Sequence, residues 1–188
     1  MEFYIAGIKI RLTFLFVALL TITLLADRSG LVFFSLLAAL IHETGHIAAF
    51  AVFKSKPHEA SVEISGIKLT KPPDKLSAGK EVVLLFAGSA VNFVVFAVFF
   101  FVLKFESFAY IHLMIGVFNM LPIAPLDGGM LVKLAAERIF SPGTADIISR
   151  ALSVLIIIPL IIYGIYLAFN MNFTLLITAV YLLILVLS

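Results

Sequence analysis

Six apolar stretches constrain the fold of this chain more than any other feature. The hydrocarbon core of a bilayer is about 30 Å thick, and a helix needs about 20 apolar residues to cross it. Only 13% of the residues are charged, which is too few to cover the surface of a soluble domain of this length. We therefore predict an all-α polytopic membrane protein with about six transmembrane helices. The predicted spans are residues 10–26, 31–53, 82–103, 108–126, 151–169 and 173–188, of which the first and last are short.

Two of the connections have local patterns of their own. Residues 60–70 alternate apolar and polar side chains around Ser65-Gly66, which predicts a small β-hairpin between the second and third spans. Residues 130–140 are typical of a short amphipathic helix, closed by Ser141-Pro142-Gly143. No soluble domain is predicted, so residues 1–188 form a single transmembrane domain. Its core is residues 31–140, and its accessory spans are 10–26, 151–169 and 173–188.

The Lys and Arg residues are distributed unevenly between alternate connections. Of the 13 in the chain, one side of the predicted membrane receives all but Arg28 and Lys104. Cytoplasmic loops carry an excess of Lys and Arg, so the richer side, with both termini, is predicted to be cytoplasmic. The net charge of +2 is too small to indicate nucleic-acid binding, and a basic rim facing anionic lipid is favoured instead.

The second predicted span contains the run His42-Glu43-Thr44-Gly45-His46. Histidines four residues apart project from one face of a helix, where they can share a metal, and Glu43 lies beside them as a general base. The alternative is a polar patch that packs against a neighbouring helix. Three ionisable side chains inside an apolar run are costly unless they are paired or functional, so the metal site is favoured.

A catalytic zinc needs a third protein ligand, and the chain has no Cys to supply it. The fourth predicted span ends in a segment that contains Pro122, Pro125 and Asp127 and is followed by Gly128-Gly129. The prolines break the helix, and irregular backbone at membrane depth is tolerated where it lines a cavity. We expect Asp127 to meet His42 and His46 there, at a site that opens to the cytoplasmic side.

These motifs resemble those of the site-2 protease family of intramembrane zinc metalloproteases. His42-Glu43-x-x-His46 is similar to the family's zinc-binding helix, and Asn119-x-x-Pro122 followed by Leu126-Asp127-Gly128-Gly129 is similar to its second signature. Gly88-x-x-x-Asn92 resembles a weaker third motif. The layout is most similar to the bacterial sporulation-associated branch. This chain departs from it in lacking a C-terminal cystathionine-β-synthase domain and in having Met130 where an Arg often follows Asp-Gly-Gly.

The resemblance implies a zinc ion held by His42, His46 and Asp127, with Glu43 as the base. It implies that Asn119 donates to the substrate or oxyanion, with Pro122 and Asn92 as further substrate contacts. For Asn119 a hydrogen bond at a helix end is an equal alternative, and for Asn92 a polar contact between helices is favoured.

The expected activity is hydrolysis of peptide bonds in transmembrane protein substrates, as in regulated intramembrane proteolysis. The expected location is a bacterial cell membrane, with lipid as a partner; a homo-oligomer or a regulatory membrane partner is left open. The other hypotheses are a metal-binding membrane transporter, whose ligands would be spread along a path, and an inactive homologue. The 60–70 hairpin is either an edge to which substrate adds a strand or a connection at the lipid surface.

Overall fold

The computed structural model describes the backbone of residues 2–5, 8–12, 14–55, 59–63, 66–70 and 76–188, and side chains within 18–55 and 76–188. The protein is mostly helical, and its residues form two compact units, Met1–Gly116 and Val117–Ser188. The strands are β1 (Glu2–Ile5), β2 (Ile8–Leu12), β3 (Glu59–Glu63) and β4 (Gly66–Thr70). The helices are α1 (Phe14–Ala26), α2 (Leu31–Val52), α3 (Ala78–Ala97), α4 (Glu106–Asn119), α5 (Asp127–Ala136), α6 (Pro142–Ala168) and α7 (Thr174–Leu187).

The four strands of the first unit form one sheet in the order β1-β2-β3-β4. β1 and β2 are antiparallel, β2 and β3 are parallel, and β3 and β4 are antiparallel with Glu59 opposite Thr70 and Glu63 opposite Gly66. β3 and β4 therefore occupy the segment for which the sequence predicts a hairpin. Ser65, one of the two predicted turn residues, lies outside the described residues.

The first predicted span, residues 10–26, does not form as one helix. Residues up to Leu12 belong to β2, and α1 starts only at Phe14. The run Ile8-Lys9-Ile10-Arg11-Leu12 alternates apolar and basic residues with a period of two, which is the pattern of a strand and not of a spanning helix. The apolar composition of the stretch concealed this boundary.

Three helices of the described residues are long and apolar enough to cross a membrane: α2, α3 with the π-helical turn Val98–Val102 that continues it, and α6. This is the character of an integral membrane protein. The remaining three predicted spans correspond to α1, α4 and α7, which have 13, 14 and 14 residues. At 1.5 Å per residue such helices are about 20 Å long, short of the bilayer core of about 30 Å. The structure therefore does not support the count of six.

α2 and α3 pack closely because each carries a glycine at their contact. A Cβ added at Gly45 would lie 2.5 Å from the carbonyl oxygen of Ala87 on α3. Small residues let two helix backbones approach in this way, and the association of apolar helices in lipid depends on such packing. About one turn after Gly45 on α2, Ala49 and Phe50 form a buried apolar cluster with Leu84 of α3.

The second unit has its core between α6 and α7. Its buried residues are Ile123, Ile157, Ala179, Leu182 and Val186. Ile123 comes from the irregular segment that follows α4, so this segment is anchored in the core of the unit. α6 begins with Ser141 as its N-cap, whose hydroxyl accepts from the Thr144 N–H, and with Pro142 in its first turn. Ser141-Pro142-Gly143 thus opens α6.

Candidate metal centre

α2 places both motif histidines on its buried face. The buried residues of this helix recur at intervals of three and four, which places them on one face. His42 and His46 are 4% and 7% exposed, and their Nε2 atoms are 3.1 Å apart. Two nitrogens bound to one tetrahedral zinc at 2.0–2.1 Å are about 3.3 Å apart. The two imidazoles are therefore spaced as ligands of a single ion.

Gly88 of α3 faces the two Nε2 atoms. A Cβ at this position would lie 2.5 Å from Nε2 of His42 and 2.5 Å from Nε2 of His46. Any side chain larger than hydrogen would therefore occupy the space next to the donor atoms. The glycine of the Gly-x-x-x-Asn motif thus serves both the helix packing and the room required by a ligand of the histidines.

The backbone of α3 fixes the protonation of His46. Nδ1 of this ring is 2.8 Å from the carbonyl oxygen of Leu84. A carbonyl oxygen can only accept, so Nδ1 of His46 donates to it, and in a neutral ring the lone pair is then on Nε2. Metal-binding histidines usually donate their second ring nitrogen in this manner, which fixes the ring and makes it a better ligand. The arrangement of His46 fits a metal site.

Asn92, four residues after Gly88, lies between two histidines. Its Nδ2 is 3.3 Å from Nδ1 of His42, and its Oδ1 is 3.0 Å from Nδ1 of His112 on α4. Asn92 and His112 are both fully buried. The favoured interpretation of Asn92 from the sequence, a polar contact between helices, is therefore what the structure shows. The substrate contact that the resemblance implies for Asn92 stays a prediction.

Glu43 follows His42 directly and is half-buried on α2. Its neighbour Thr44 is exposed, and the Thr44 hydroxyl donates to the carbonyl oxygen of Ile41, 2.6 Å away. Glu43 is thus at the margin of the buried histidine face, next to His42. Its role as a general base stays a prediction.

The residues of the second signature lie in the second unit. α4 ends at Asn119, and Pro122 falls in the irregular segment that connects it to α5. Turns hold this segment, with the Ile123 N–H donating to Leu121 at 2.8 Å and the Leu126 N–H donating to Ile123 at 2.8 Å. The predicted break of the helix before Asp127 is confirmed.

Asp127 is the first residue of α5, so its carboxylate lies at the positive end of the helix dipole. Gly128 and Gly129 follow it and are buried. A Cβ on Gly128 would collide with the Met120 carbonyl, and one on Gly129 would collide with the Ile123 carbonyl. The two glycines allow the first turn of α5 to pack directly against the irregular segment. This contact fixes the position of the Asp127 backbone at the start of the helix.

Three contributors to this geometry were not identified from the sequence: Leu84, His112 as a partner of Asn92, and Ser153, whose hydroxyl accepts from the Ala124 N–H at 2.8 Å. The Leu84 carbonyl has no sequence signal, because any residue supplies one. His112 and Ser153 are polar residues in apolar stretches, which is the signal that could have singled them out.

The comparisons with known proteins agree with this description. Residues 104–162 match the model of Peptidase family M50, a stretch that includes Asn119, Pro122 and Asp127 but not α2. No curated protein matches the chain. Among solved structures, the chain is similar to a site-2 protease from Methanocaldococcus jannaschii, with a TM-score of 0.76 and 20% identity over 98% of this chain and 92% of that one. The chain therefore has the fold of that site-2 protease structure.

Proposed function

We propose that the protein is an intramembrane zinc metalloprotease of the site-2 type, which hydrolyses peptide bonds of membrane proteins within or beside the bilayer. One observation carries the proposal: the Nε2 atoms of His42 and His46 lie 3.1 Å apart on the buried face of a membrane-length helix. The match of residues 104–162 to Peptidase family M50 and the similarity to a site-2 protease structure support it.

His42 and His46 each offer a ring nitrogen, and we propose that Asp127 adds a carboxylate oxygen as third ligand. Two imidazoles and one carboxylate are a donor set typical of catalytic zinc. When bound, the ion supplies Lewis-acid polarisation and makes water more acidic. His46 is held for this role by the Leu84 carbonyl, and Gly88 leaves room beside both Nε2 atoms.

Glu43 is the proposed general base. A carboxylate next to the metal ligands can take a proton from the attacking water on one of its oxygens and deliver it to the amide nitrogen of the departing segment. We propose that the side-chain amide of Asn119 donates to the substrate backbone or to the oxygen that becomes negative. Pro122, which prevents α4 from continuing, keeps Asn119 at the helix end.

The sheet supplies a candidate surface for presenting substrate. Among the described strands, β4 pairs on one side only, with β3. An extended peptide can add to such an edge through main-chain hydrogen bonds. A transmembrane helix seals its own peptide bonds, so conversion of a segment to a strand would make them accessible. We propose that β4 holds the substrate segment in this form.

The orientation in the membrane is proposed from the distribution of basic residues. The site would open to the cytoplasm, with both termini on that side, in a bacterial cell membrane and with transmembrane proteins as substrates. Reaction of a single Cys, introduced at Ser55, with a membrane-impermeant reagent from the cytoplasmic face only would support this orientation. Assignment to the sporulation-associated branch stays a prediction.

The function is tested by comparing wild type, Glu43→Gln and His42→Ala in lipid nanodiscs, with metal content and cleavage of a panel of single-span membrane proteins as readouts. We expect bound zinc in wild type and Glu43→Gln, none in His42→Ala, and a loss of cleavage of at least about 100-fold in Glu43→Gln. Glu106→Gln, which removes an exposed carboxylate elsewhere in the first unit, is the matched control and should cleave normally.

A transporter or an inactive homologue would give a different result. A transporter would carry zinc into proteoliposomes, and an inactive homologue would bind zinc without cleaving any member of the panel. Full cleavage by Glu43→Gln would show that another residue is the base.

A further inference from the structure

We propose that the second unit has a binding site for the headgroup of an anionic phospholipid, in a pocket between α5, α6 and the end of α7. The pocket has a volume of about 260 Å³, and all of its lining residues lie within this unit. Its wall combines apolar side chains with two basic ones, Lys133 and Arg150. A membrane protein of any function could carry such a site, so the inference does not depend on the proposed protease activity.

The size of the pocket suits a part of a lipid molecule. Pockets for small molecules usually have volumes of about 300–1,000 Å³, and this pocket is slightly below that range. It therefore accommodates a headgroup and leaves the acyl chains outside. A lipid bound in this way needs positive charge inside the pocket and apolar protein surface next to it.

The lining supplies more positive than negative charge. Nζ of Lys133 on α5 is 2.5 Å from a carboxylate oxygen of Asp146 on α6, and 3.9 Å from one of Glu137. For Arg150, one turn after Asp146, no ion pair is found in the part of the chain that the structure describes. Asp146 is the one acidic residue among those that line the pocket. Two positive charges thus face one negative charge, and the guanidinium of Arg150 is available to an anion.

The position of Arg150 along α6 places the pocket at the membrane surface. α6 has 27 residues and is therefore about 40 Å long, which exceeds the bilayer core of about 30 Å by about two turns. The charged residues of this helix, Asp146 and Arg150, are close to its N-terminus, and no charged residue follows Arg150 in the chain. The charged end of α6 therefore projects from the bilayer core, with Arg150 at the depth of the lipid phosphates.

Apolar side chains continue from the pocket towards the middle of the membrane. On α6, Val154 and Ile158 follow Arg150 at intervals of four residues, which places them on the same stripe of the helix. On α7, Leu185 lines the pocket, and Ile177 lies two turns before it. Ile158 and Ile177 are 48% and 66% exposed. An acyl chain joined to a headgroup in the pocket would lie against these side chains.

The combination of charge and apolar surface is the reason for assigning a phospholipid rather than a free phosphate ion. Basic pockets between membrane helices are known to bind the headgroups of anionic lipids. A free phosphate would gain only the attraction of Lys133 and Arg150. A phospholipid gains the same attraction and also removes apolar surface from contact with water.

A bound lipid would also contact the irregular segment that precedes α5. Ala124 and Pro125 line the pocket, and Asp127 follows two residues after Pro125. The Ala124 N–H is already held by the Ser153 hydroxyl. A ligand that binds the folded state and not the unfolded state stabilises the folded state. Anionic lipid should therefore raise the melting temperature of the protein.

The test measures the dissociation constant of the first bound lipid, by native mass spectrometry of the purified full chain in detergent. Dioleoylphosphatidylglycerol is the anionic probe. Dioleoylphosphatidylcholine has the same phosphate and acyl chains without net charge, and inorganic phosphate is the free anion. We expect wild type to prefer phosphatidylglycerol to phosphatidylcholine, with no competition from inorganic phosphate. Arg150→Gln should weaken binding of phosphatidylglycerol about 5-fold, the contribution of one basic residue near an anionic lipid surface.

Arg138→Gln is the matched control, because it removes the same charge from an exposed position outside the pocket lining. This control should bind phosphatidylglycerol as wild type does. Asp146→Asn should bind it more tightly, since it removes the negative charge and releases Lys133. Leu185→Gln should weaken binding without any change of charge, and Leu187→Gln, at an exposed position, is its control.

Three results would overturn the inference. Equal weakening by Arg150→Gln and Arg138→Gln would show a general attraction of lipid to basic surface without a site. Competition by inorganic phosphate, with no effect of Leu185→Gln, would assign the pocket to a free anion. Wild-type lipid affinity in Arg150→Gln together with slower cleavage of a membrane protein would make the pocket a contact for substrate. Arg150 is exposed, and the melting temperature of its variant without added lipid checks that the variant folds.

Discussion

The hydroxyl of Ser153 on α6 accepts a hydrogen bond from the backbone N–H of Ala124, at 2.8 Å. The same hydroxyl donates to the carbonyl of Ser149 at 2.6 Å, and Ser153 is fully buried. Ala124 belongs to the irregular segment that leads into Asp127. A single side chain of α6 therefore holds the segment whose end is the proposed third zinc ligand.

Replacement of Ser153 by Ala should loosen this segment. The Ala124 N–H would lose its partner, at a cost of about 1–3 kcal/mol in the free energy of unfolding, and the start of α5 would be less well fixed. We expect weaker zinc binding in Ser153→Ala, measured by chelator competition. Ser149→Ala is the matched control, because it keeps the carbonyl that Ser153 contacts. Equal zinc affinities in the two variants would show that the hydroxyl does not position Asp127.

We expect Gly88→Ala to abolish metal binding and to have a smaller effect on the free energy of unfolding. The new Cβ would lie 2.5 Å from Nε2 of both His42 and His46. Gly79→Ala on the same helix is a matched control, since a Cβ there meets nothing within 4 Å. Gly79 lies in the first turn of α3 and has space for the added methyl group, so this control should be about as stable as wild type. Metal analysis of both variants checks the prediction, and stoichiometric zinc in Gly88→Ala contradicts it.

The loop before α2 should make stability depend on pH. Hydrogen bonds from the Ser29 side chain, and from the backbone N–H of Val32 and Ser29, hold the pKa of Asp27 below its usual value. A lowered pKa stabilises the folded state fully above the unfolded pKa of about 3.9, and this contribution is lost as pH falls through the folded pKa. Asp27→Asn should lower the melting temperature at pH 6, and the difference from wild type should narrow at pH 3. If the difference in melting temperature between Asp27→Asn and wild type is the same at both pH values, ionisation of Asp27 does not contribute to the pH dependence of stability.

The long helices were predictable because their signal is local and repeated. The predicted span 31–53 coincides with α2 (Leu31–Val52) to within one residue. The predicted span 82–103 overlaps the helix that starts at Ala78 and runs on to Val102. The fifth predicted span, residues 151–169, corresponds to α6, which begins earlier, at Pro142. A Ser-Pro pair can follow the end of one helix or form the N-terminus of the next. The hydrogen bond from the Thr144 N–H to the Ser141 hydroxyl shows that here Ser141 is the N-cap of α6.

In the candidate site, too, contacts between residues close in sequence could be predicted, and contacts between distant residues could not. The pairing of His42 with His46 follows from four-residue spacing on one helix, so the sequence predicts it. The contacts of Asn92 with His42 and His112 join residues 50 and 20 positions apart, and no periodicity encodes them. A buried amide in an apolar helix indicates that partners exist but does not identify them.

Backbone amides of β4 provide a test of strand addition to the sheet. Successive amides of a strand point to opposite sides, so only one of Ile67 and Lys68 directs its N–H away from β3. Proline removes that N–H, and at an edge strand it is tolerated where the N–H faces outward. If substrate adds to this edge, the proline at the outward position should lose a hydrogen bond to substrate but leave the sheet intact.

We therefore expect Ile67→Pro and Lys68→Pro to differ. The variant with the outward amide should express and bind zinc as wild type does, yet cleave a transmembrane substrate more slowly. The other should lose a hydrogen bond to β3 and weaken the sheet, with lower expression or thermal stability. Equal and normal cleavage by both variants would exclude strand addition at β4, because main-chain hydrogen bonds give such complexes their affinity. Residues 66–70 would then serve only to connect α2 to α3.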